Sequence, residues 1–413
     1  MAIGPDARHI LPGLRGHGCG LSAGLSPPQD WGGVGRRDAD DSAGQDFAAG
    51  RLGAIDYNVI GLLFGLMIVS SAFGIAGFYD WMARKVGAVK VGPKALLAIF
   101  IVVSGTLSAV LTNDVVSAAM TAVLCQICLA RRLNPIPFLL GFCFAANVGS
   151  AATLIGSPKS MIVAETLHVS FAKFTAVTSP PSLLGLLLTW LVLVIIYRGK
   201  WGLPAASPKA AVDAPIAPAA LDRAETIKAA IVVVAVIMAF VFTDWPRMLI
   251  ALLGASFLLV SRRVDSDKVL GAVDGSLLVL LIGLFIVNAA LGATGLPEKL
   301  VNWLASAGLD LHDPVAVLVV MAVLCNIVGA TPAVMLALPF LSGERPEILG
   351  AAVALGASFS ANALLFGSLA GIIVAEEGRR RGVIISFGEF TRAGALLAFL
   401  SLLLAAGWLH YLR

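Results

Sequence analysis

Charge is what this 413-residue chain most lacks. Only 13% of it is Asp, Glu, Lys or Arg, against about 25% in an average soluble domain, which excludes an ordinary water-facing surface. Histidine is nearly as scarce: His168 and His312 end apolar spans, and His410 lies near the C-terminus. With no HExxH and no histidine beside an internal helix break, an intramembrane enzyme is disfavoured. Five cysteines make no disulfide framework. Cys125, Cys128, Cys143 and Cys325 sit in apolar runs, Cys19 stands alone in the N-terminal stretch, and the Cys125–Cys128 pair has no His or acidic cluster nearby; the four read as small filler on helix faces. No basic stripe points to nucleic acid. The first 50 residues have neither an apolar core nor a signal-peptide h-region. Residues 1–52 are therefore expected to be disordered or atypical, or to mark lost or mis-specified opening helices.

What remains is apolar: 58% of the chain is hydrophobic. Runs long enough to cross a bilayer fall at about 57–79, 137–168, 180–197, 228–243, 247–261, 275–294, 348–377 and 390–410. The chain also repeats itself. LIGSPKSMIVAE (Leu154 to Glu165) returns 211 residues later as LFGSLAGIIVAE (Leu365 to Glu376), and GAID (Gly53 to Asp56) returns as GAVD (Gly271 to Asp274). Two homologous halves in an apolar chain are a hallmark of secondary transporters, whose substrate site lies where broken helices of the two halves meet.

Lys and Arg cluster at 84–94, 131–132, 198–228, 262–268 and 379–392, whereas Lys173, Arg247, Lys299 and Arg345 are isolated. The positive-inside rule places the clusters in the cytoplasm. This requires 95–128 and 313–341 to enter and leave by one side, as re-entrant hairpins with tips at Thr112-Asn113-Asp114 and Gly329-Ala330-Thr331-Pro332. The halves are then inverted: 53–197, a cytoplasmic linker at 198–227, and 228–413, with 228–243 and 247–261 lacking counterparts ahead of the first half.

Four helix breaks are expected to carry the chemistry. Gly156-Ser157-Pro158 combines a helix-releasing glycine, a capping serine and a first-turn proline. Gly367-Ser368 is its repeat. Asn113-Asp114 supplies capping side chains at the first tip and Thr331-Pro332 a capping hydroxyl at the second. Each break aims unpaired N–H groups at the membrane centre, where anions bind well. Asp114 is either a cation or proton site or a helix cap, because a mid-membrane carboxylate is costly. Lys159 stands at the positive end of a half-helix, so it faces Asp114, faces an anionic substrate, or snorkels to an interface. Asn147, Ser150, Thr153, Ser160, Ser360 and Asn362 surround the breaks. Glu165 and Glu376 are expected to solvate loops.

These residues resemble the ion transporter superfamily of citrate-transporter-like permeases, divalent anion:sodium symporters, arsenite efflux pumps and NhaD-type antiporters. LSAVLTNDVVSAAMTAVL and ANVGSAATLIGSPKSMIVAE look like its first tip and first broken helix; TPAVMLALPF and GSLAGIIVAEEGRRRGVIISF look like their partners. The resemblance implies an all-α polytopic membrane protein with inverted repeats, each with a re-entrant hairpin and a broken helix. It also implies an elevator-type homodimer. It carries site roles over to Thr112, Asn113, Asp114, Gly149, Ser150, Gly156, Ser157, Thr331, Asn362, Gly367 and Ser368, with Na⁺ as a possible coupling ion near Asn113, Asp114, Ser150 and Gly156. Two positions depart from the family's pattern. The second tip reads Gly329-Ala330 instead of Ser-Asn, which leaves a second sodium site unsupported, and Lys159 stands where the family has Gln or Pro.

The expected function is secondary transport of a small inorganic or carboxylate anion, coupled to Na⁺ or H⁺, in a bacterial inner membrane. Arsenite efflux, Na⁺/H⁺ exchange and a non-transporting remnant are the alternatives. No cofactor beyond a coupling ion is expected.

Overall fold

The computed structural model describes residues 53–203, 220–260, 266–296, 299, 302–303, 306, 308–341 and 345–413, all within the compact unit Arg51–Arg413. The expectation for residues 1–52 lies outside them, as does most of the 198–227 linker.

The described residues hold helices and an isolated bridge between Leu133 and Gly202. The first half comprises α1 (Tyr57–Ile75), α2 (Phe78–Gly87), α3 (Pro93–Val110), α4 (Asn113–Ala130), α5 (Pro135–Ser150), α6 (Pro158–Thr166) and α7 (Phe171–Ile196). Two helices, α8 (Arg223–Phe242) and α9 (Arg247–Leu259), then lead through α10 (Ser266–Gly271) into the second half. That half comprises α11 (Gly275–Gly292), α12 (Pro314–Val328), α13 (Ala330–Ala337), α14 (Pro346–Ser360), α15 (Leu369–Arg380) and α16 (Phe387–Leu412).

The repeat is structural at its capping residues. Asp56 and Asp274, the aspartates of GAID and GAVD, accept from backbone N–H groups at the starts of α1 and α11. Ser157 and Ser368 cap α6 and α15, accepting from the N–H of Ser160 and Gly371. A third echo went unread: VSFAKF (Val169 to Phe174) matches ISFGEF (Ile385 to Phe390), and its serines, Ser170 and Ser386, cap two helices of 26 residues each. Each half thus runs spanning helix, hairpin, broken helix, spanning helix.

Seven described helices are long and apolar enough to cross a membrane, and large side chains such as Leu183, Ile231, Val279 and Phe399 stand exposed along them. The protein is an integral membrane protein. Some expected bounds move. The last helix of the first half begins at Phe171, not 180, and runs through Pro180 and Pro181. Pro181 has no N–H to give to the carbonyl of Val177; the indole Nε1 of Trp408 donates to it instead, at 2.8 Å. The apolar run at 247–261 holds a helix of only 13 residues, about 20 Å at 1.5 Å per residue, short of a hydrocarbon core of about 30 Å.

The hairpins differ. Arms α12 and α13 have 15 and 8 residues and are too short to span. Arms α3 and α4 have 18 each, so length alone does not make that hairpin re-entrant. Its tip does: the N–H of Thr112 donates to Ser70 Oγ, inside α1, at 3.0 Å, and the N–H of Asn113 donates to the Gly156 carbonyl at 3.1 Å. The tip therefore ends beside the middle of one helix and the break of another.

Candidate functional site

Close backbone approach builds the site. A Cβ at Gly149 would stand 2.3 Å from the carbonyl oxygen of Gly105, and one at Gly156 would stand 2.5 Å from those of Ser108 and Ser150. Only glycine lets α3 lie on α5 this closely. Gly149 therefore serves the helix crossing. In the second half a Cβ on Gly367 would meet the Ala361 carbonyl oxygen at 2.9 Å, and one on Gly394 would meet that of Asn362 at 1.9 Å.

The two breaks meet at Asn147. Its Nδ2 donates to Asn362 Oδ1 at 2.9 Å and to Ser368 Oγ at 3.0 Å. Other hydroxyls are held locally: Ser150 Oγ donates to the Asn147 carbonyl at 2.9 Å, Thr153 Oγ1 to that of Ala109, and the hydroxyls of Ser157 and Ser160 lie 3.2 Å apart.

Three expected caps are corrected. Thr112, not Asn113 or Asp114, occupies the N-cap of α4, and no side chain caps that helix. Asp114 is thus not the helix cap. At the second tip the chain turns on Gly329, whose φ of +91° suits glycine, and Thr331 makes no capping bond. Lys159 does not snorkel, since it is 5% exposed.

Several buried oxygens and nitrogens of the described residues are left without a hydrogen bond: Ser108 Oγ, Thr112 Oγ1 and Asn113 Oδ1 around the first tip, and Asn147 Oδ1, Asn362 Nδ2 and Asn326 Oδ1 around the second break. Buried polar atoms are normally paired, so such a cluster makes this region a candidate ligand site. The oxygens of the first group, with the Asp114 carboxylate, are hard donors suited to a cation such as Na⁺. Ser150 Oγ and the Gly156 carbonyl, proposed for the same ion, already have protein partners.

A cavity of about 480 Å³ opens beside the first tip. Thr112 and Asp114 line it, as do Pro158 and Leu369, the corresponding first residues of the half-helices α6 and α15. Both halves thus present a helix N-terminus to one space. Ser71 and Asp274 also line it.

Four features escaped the sequence reading. Ser70 receives the tip amide, and Asp274 pairs a repeat motif with a cavity wall. Asn326, one turn before the second tip, donates to the Ser360 carbonyl at 3.3 Å and so supplies an amide that Gly329-Ala330 lacks. Glu165 does not merely solvate a loop: it accepts from Arg247 Nη1 at 2.8 Å, and the same guanidinium donates to the carbonyls of Ala164 and Val169. Arg247 thereby ties the end of α6 to the start of α9. Its isolation among apolar residues was the available signal. Glu376, by contrast, pairs within its own segment, with Arg379 and Arg380.

Comparison with known proteins bears on the family and the fold. The citrate transporter (CitMHS) family profile matches residues 47–371. A 46 kDa membrane protein of Mycobacterium leprae is 30% identical over 378 residues, covering 87% of each chain. A silicon efflux transporter of rice, Oryza sativa subsp. japonica, is 32% identical over 155 residues, 38% of this chain and 32% of its own. The crystal structure of the Alcanivorax borkumensis YdaH transporter has the same fold, with a TM-score of 0.60 at 16% identity, covering 89% of this chain and 88% of that one.

Proposed function

This chain belongs to the citrate transporter family, and from that premise we propose that it is a secondary active transporter of a small inorganic or carboxylate anion, coupled to Na⁺ or H⁺. One observation carries the reading: Pro158 and Leu369, the matched first residues of two half-helices, line the same cavity as Asp114. Two helix N-termini offer backbone N–H groups and a positive field to an anion. The Asp114 carboxylate, half-buried and in no hydrogen bond or ion pair with the described residues, is free to take the coupling cation. The protein works as a homodimer in a bacterial inner membrane, its hairpins and broken helices shifting against α1, α8 and α9.

A second reading, efflux of a weak oxyacid, draws on the rice relative. Asp114 and Asp274 in the cavity wall suit hydroxyl groups that donate hydrogen bonds. Uptake by proteoliposomes of a labelled anion panel and of silicic acid, with and without Na⁺ and pH gradients, separates the two. Gradient-driven flux of an anion supports the first; flux of silicic acid alone replaces it with the second.

A further inference from the structure

A second cavity, of about 300 Å³, lies where α7 ends and α5 and α16 begin. Asn134, Tyr197, Lys200, Glu389 and Arg392 line it, and it shares no residue with the cavity at the first tip. The basic clusters at 198–228 and 379–392 mark this end as cytoplasmic by the positive-inside rule. Hydrogen bonds fix its walls. Tyr197, only 4% exposed, donates its hydroxyl to Glu389 Oε1 at 2.9 Å and so joins α7 to α16. Asn134 Nδ2 donates to the Lys200 carbonyl at 3.2 Å, and the Asn134 N–H donates to that of Trp201 at 2.8 Å. The turn after α7 is thereby pinned to the start of α5.

Positive charge is left over at this cavity. Nearby basic residues are paired: Arg379, Arg380 and Arg381 with Glu376 or Glu377, and Arg84 with Asp80. The side chains of Lys200 and Arg392 form no hydrogen bond or ion pair among the described residues. Glu389, the only acidic residue in the lining, offsets one of them and leaves one positive charge for an occupant to neutralise. Apolar surface leads away from that charge. Leu396, Phe399 and Leu403 follow Arg392 along one face of α16, and all three are exposed. On α7, Ile195 is exposed beside Ile196, which lines the cavity. An occupant with an anionic end and a long apolar end fits both features, whereas a free phosphate uses only the first. We propose that this cavity is a site for an anionic phospholipid, its phosphodiester held by Lys200 and Arg392 and its acyl chains lying along the exposed face of α16. Basic pockets between membrane helices on the cytoplasmic side suit such headgroups, and the planar fork of Arg392 can give two parallel hydrogen bonds to a phosphate. The lipid so held bridges the last helices of the two halves, whatever substrate the carrier moves.

The test is native mass spectrometry of the full chain in detergent, titrated with dioleoyl phosphatidylglycerol, dioleoyl phosphatidylcholine or glycerol phosphate. Phosphatidylglycerol should bind at least about tenfold more tightly than phosphatidylcholine. Lys200→Gln and Arg392→Gln should each weaken phosphatidylglycerol by about fivefold and leave phosphatidylcholine unchanged. Glu389→Gln keeps an acceptor for Tyr197 and removes the opposing charge. It should therefore tighten phosphatidylglycerol binding, a gain that a loss of structure cannot produce. Equal binding of the two lipids, wild-type affinity for phosphatidylglycerol in both cation variants, or no gain in Glu389→Gln would each overturn the proposal. Glycerol phosphate binding as tightly as phosphatidylglycerol would also overturn it, with a soluble phosphate as the occupant in place of a lipid.

Discussion

Asn147, on α5, donates through Nδ2 to Oδ1 of Asn362, 215 residues away just beyond α14, at 2.9 Å. The same amide reaches Ser368 Oγ, which in turn caps α15. One buried side chain thus joins the break of the first half to both sides of the break in the second. Asn147→Ala would leave Asn362 Oδ1 without its donor in a dry setting, at a cost of about 1–3 kcal/mol. Thermal unfolding in detergent should show a lower midpoint than wild type, and transport should fall as well. An unchanged midpoint would mean that the two breaks are held by packing alone.

Asp114 lines the cavity and forms no hydrogen bond or ion pair among the described residues. Asp114→Asn should therefore abolish gradient-driven transport while leaving the protein folded and membrane-inserted. The check is coupled uptake measured beside a size-exclusion profile. Coupled uptake at the wild-type rate would remove Asp114 from the coupling site.

Gly394 lies where α16 crosses the second break, and a Cβ there would come within 1.9 Å of the Asn362 carbonyl oxygen. Backbone, not a pliable side chain, is the obstacle, so Gly394→Ala must push α16 away. Overpacking of this kind costs about 1–3 kcal/mol. Gly407→Ala, on the same helix with open space at its Cβ, should leave the melting midpoint near wild type.

The loops at 82–94, 198–226 and 378–390 should label only from the cytoplasm, and a cysteine at position 299 only from outside. Single-cysteine variants in sealed cells, treated with an impermeant maleimide, read this directly. Labelling of position 299 from the cytoplasmic side alone would contradict the inverted arrangement of the halves.

Much of the architecture was legible because helix punctuation is local. Gly156-Ser157-Pro158 and Gly367-Ser368 announce their breaks through residue types whose backbone preferences need no partner, and both serines cap as expected. Tertiary bonds were not legible. The crossing read at 180–197 starts too late, because nothing nearby in sequence reveals that Trp408 satisfies the Val177 carbonyl and lets the helix run on through Pro180 and Pro181. Asn113-Asp114 looked like caps, but the tip amides instead find Ser70 Oγ and the Gly156 carbonyl, on segments distant in sequence. Lys159 was left with three candidate partners; burial eliminates the interface and leaves the interior.

Arg247→Ala should release the end of α6 from α9, removing the Glu165 ion pair and two carbonyl contacts. Charge-assisted bonds of this kind contribute about 1.5–3 kcal/mol. Hydrogen exchange at 164–169 should accelerate in the variant, whereas exchange at 376–381 should stay as in wild type.

Two identical halves related by a two-fold axis in the membrane plane would give a carrier facing either side of the membrane the same energy. Glu165 and Glu376 hold corresponding places, but only Glu165 is bonded to a neighbouring helix. That is one of the differences that make the two halves inequivalent. In the proposed transport cycle, a facing direction that kept Arg247 on Glu165 would be favoured, and leaving it would cost the bonds this guanidinium makes.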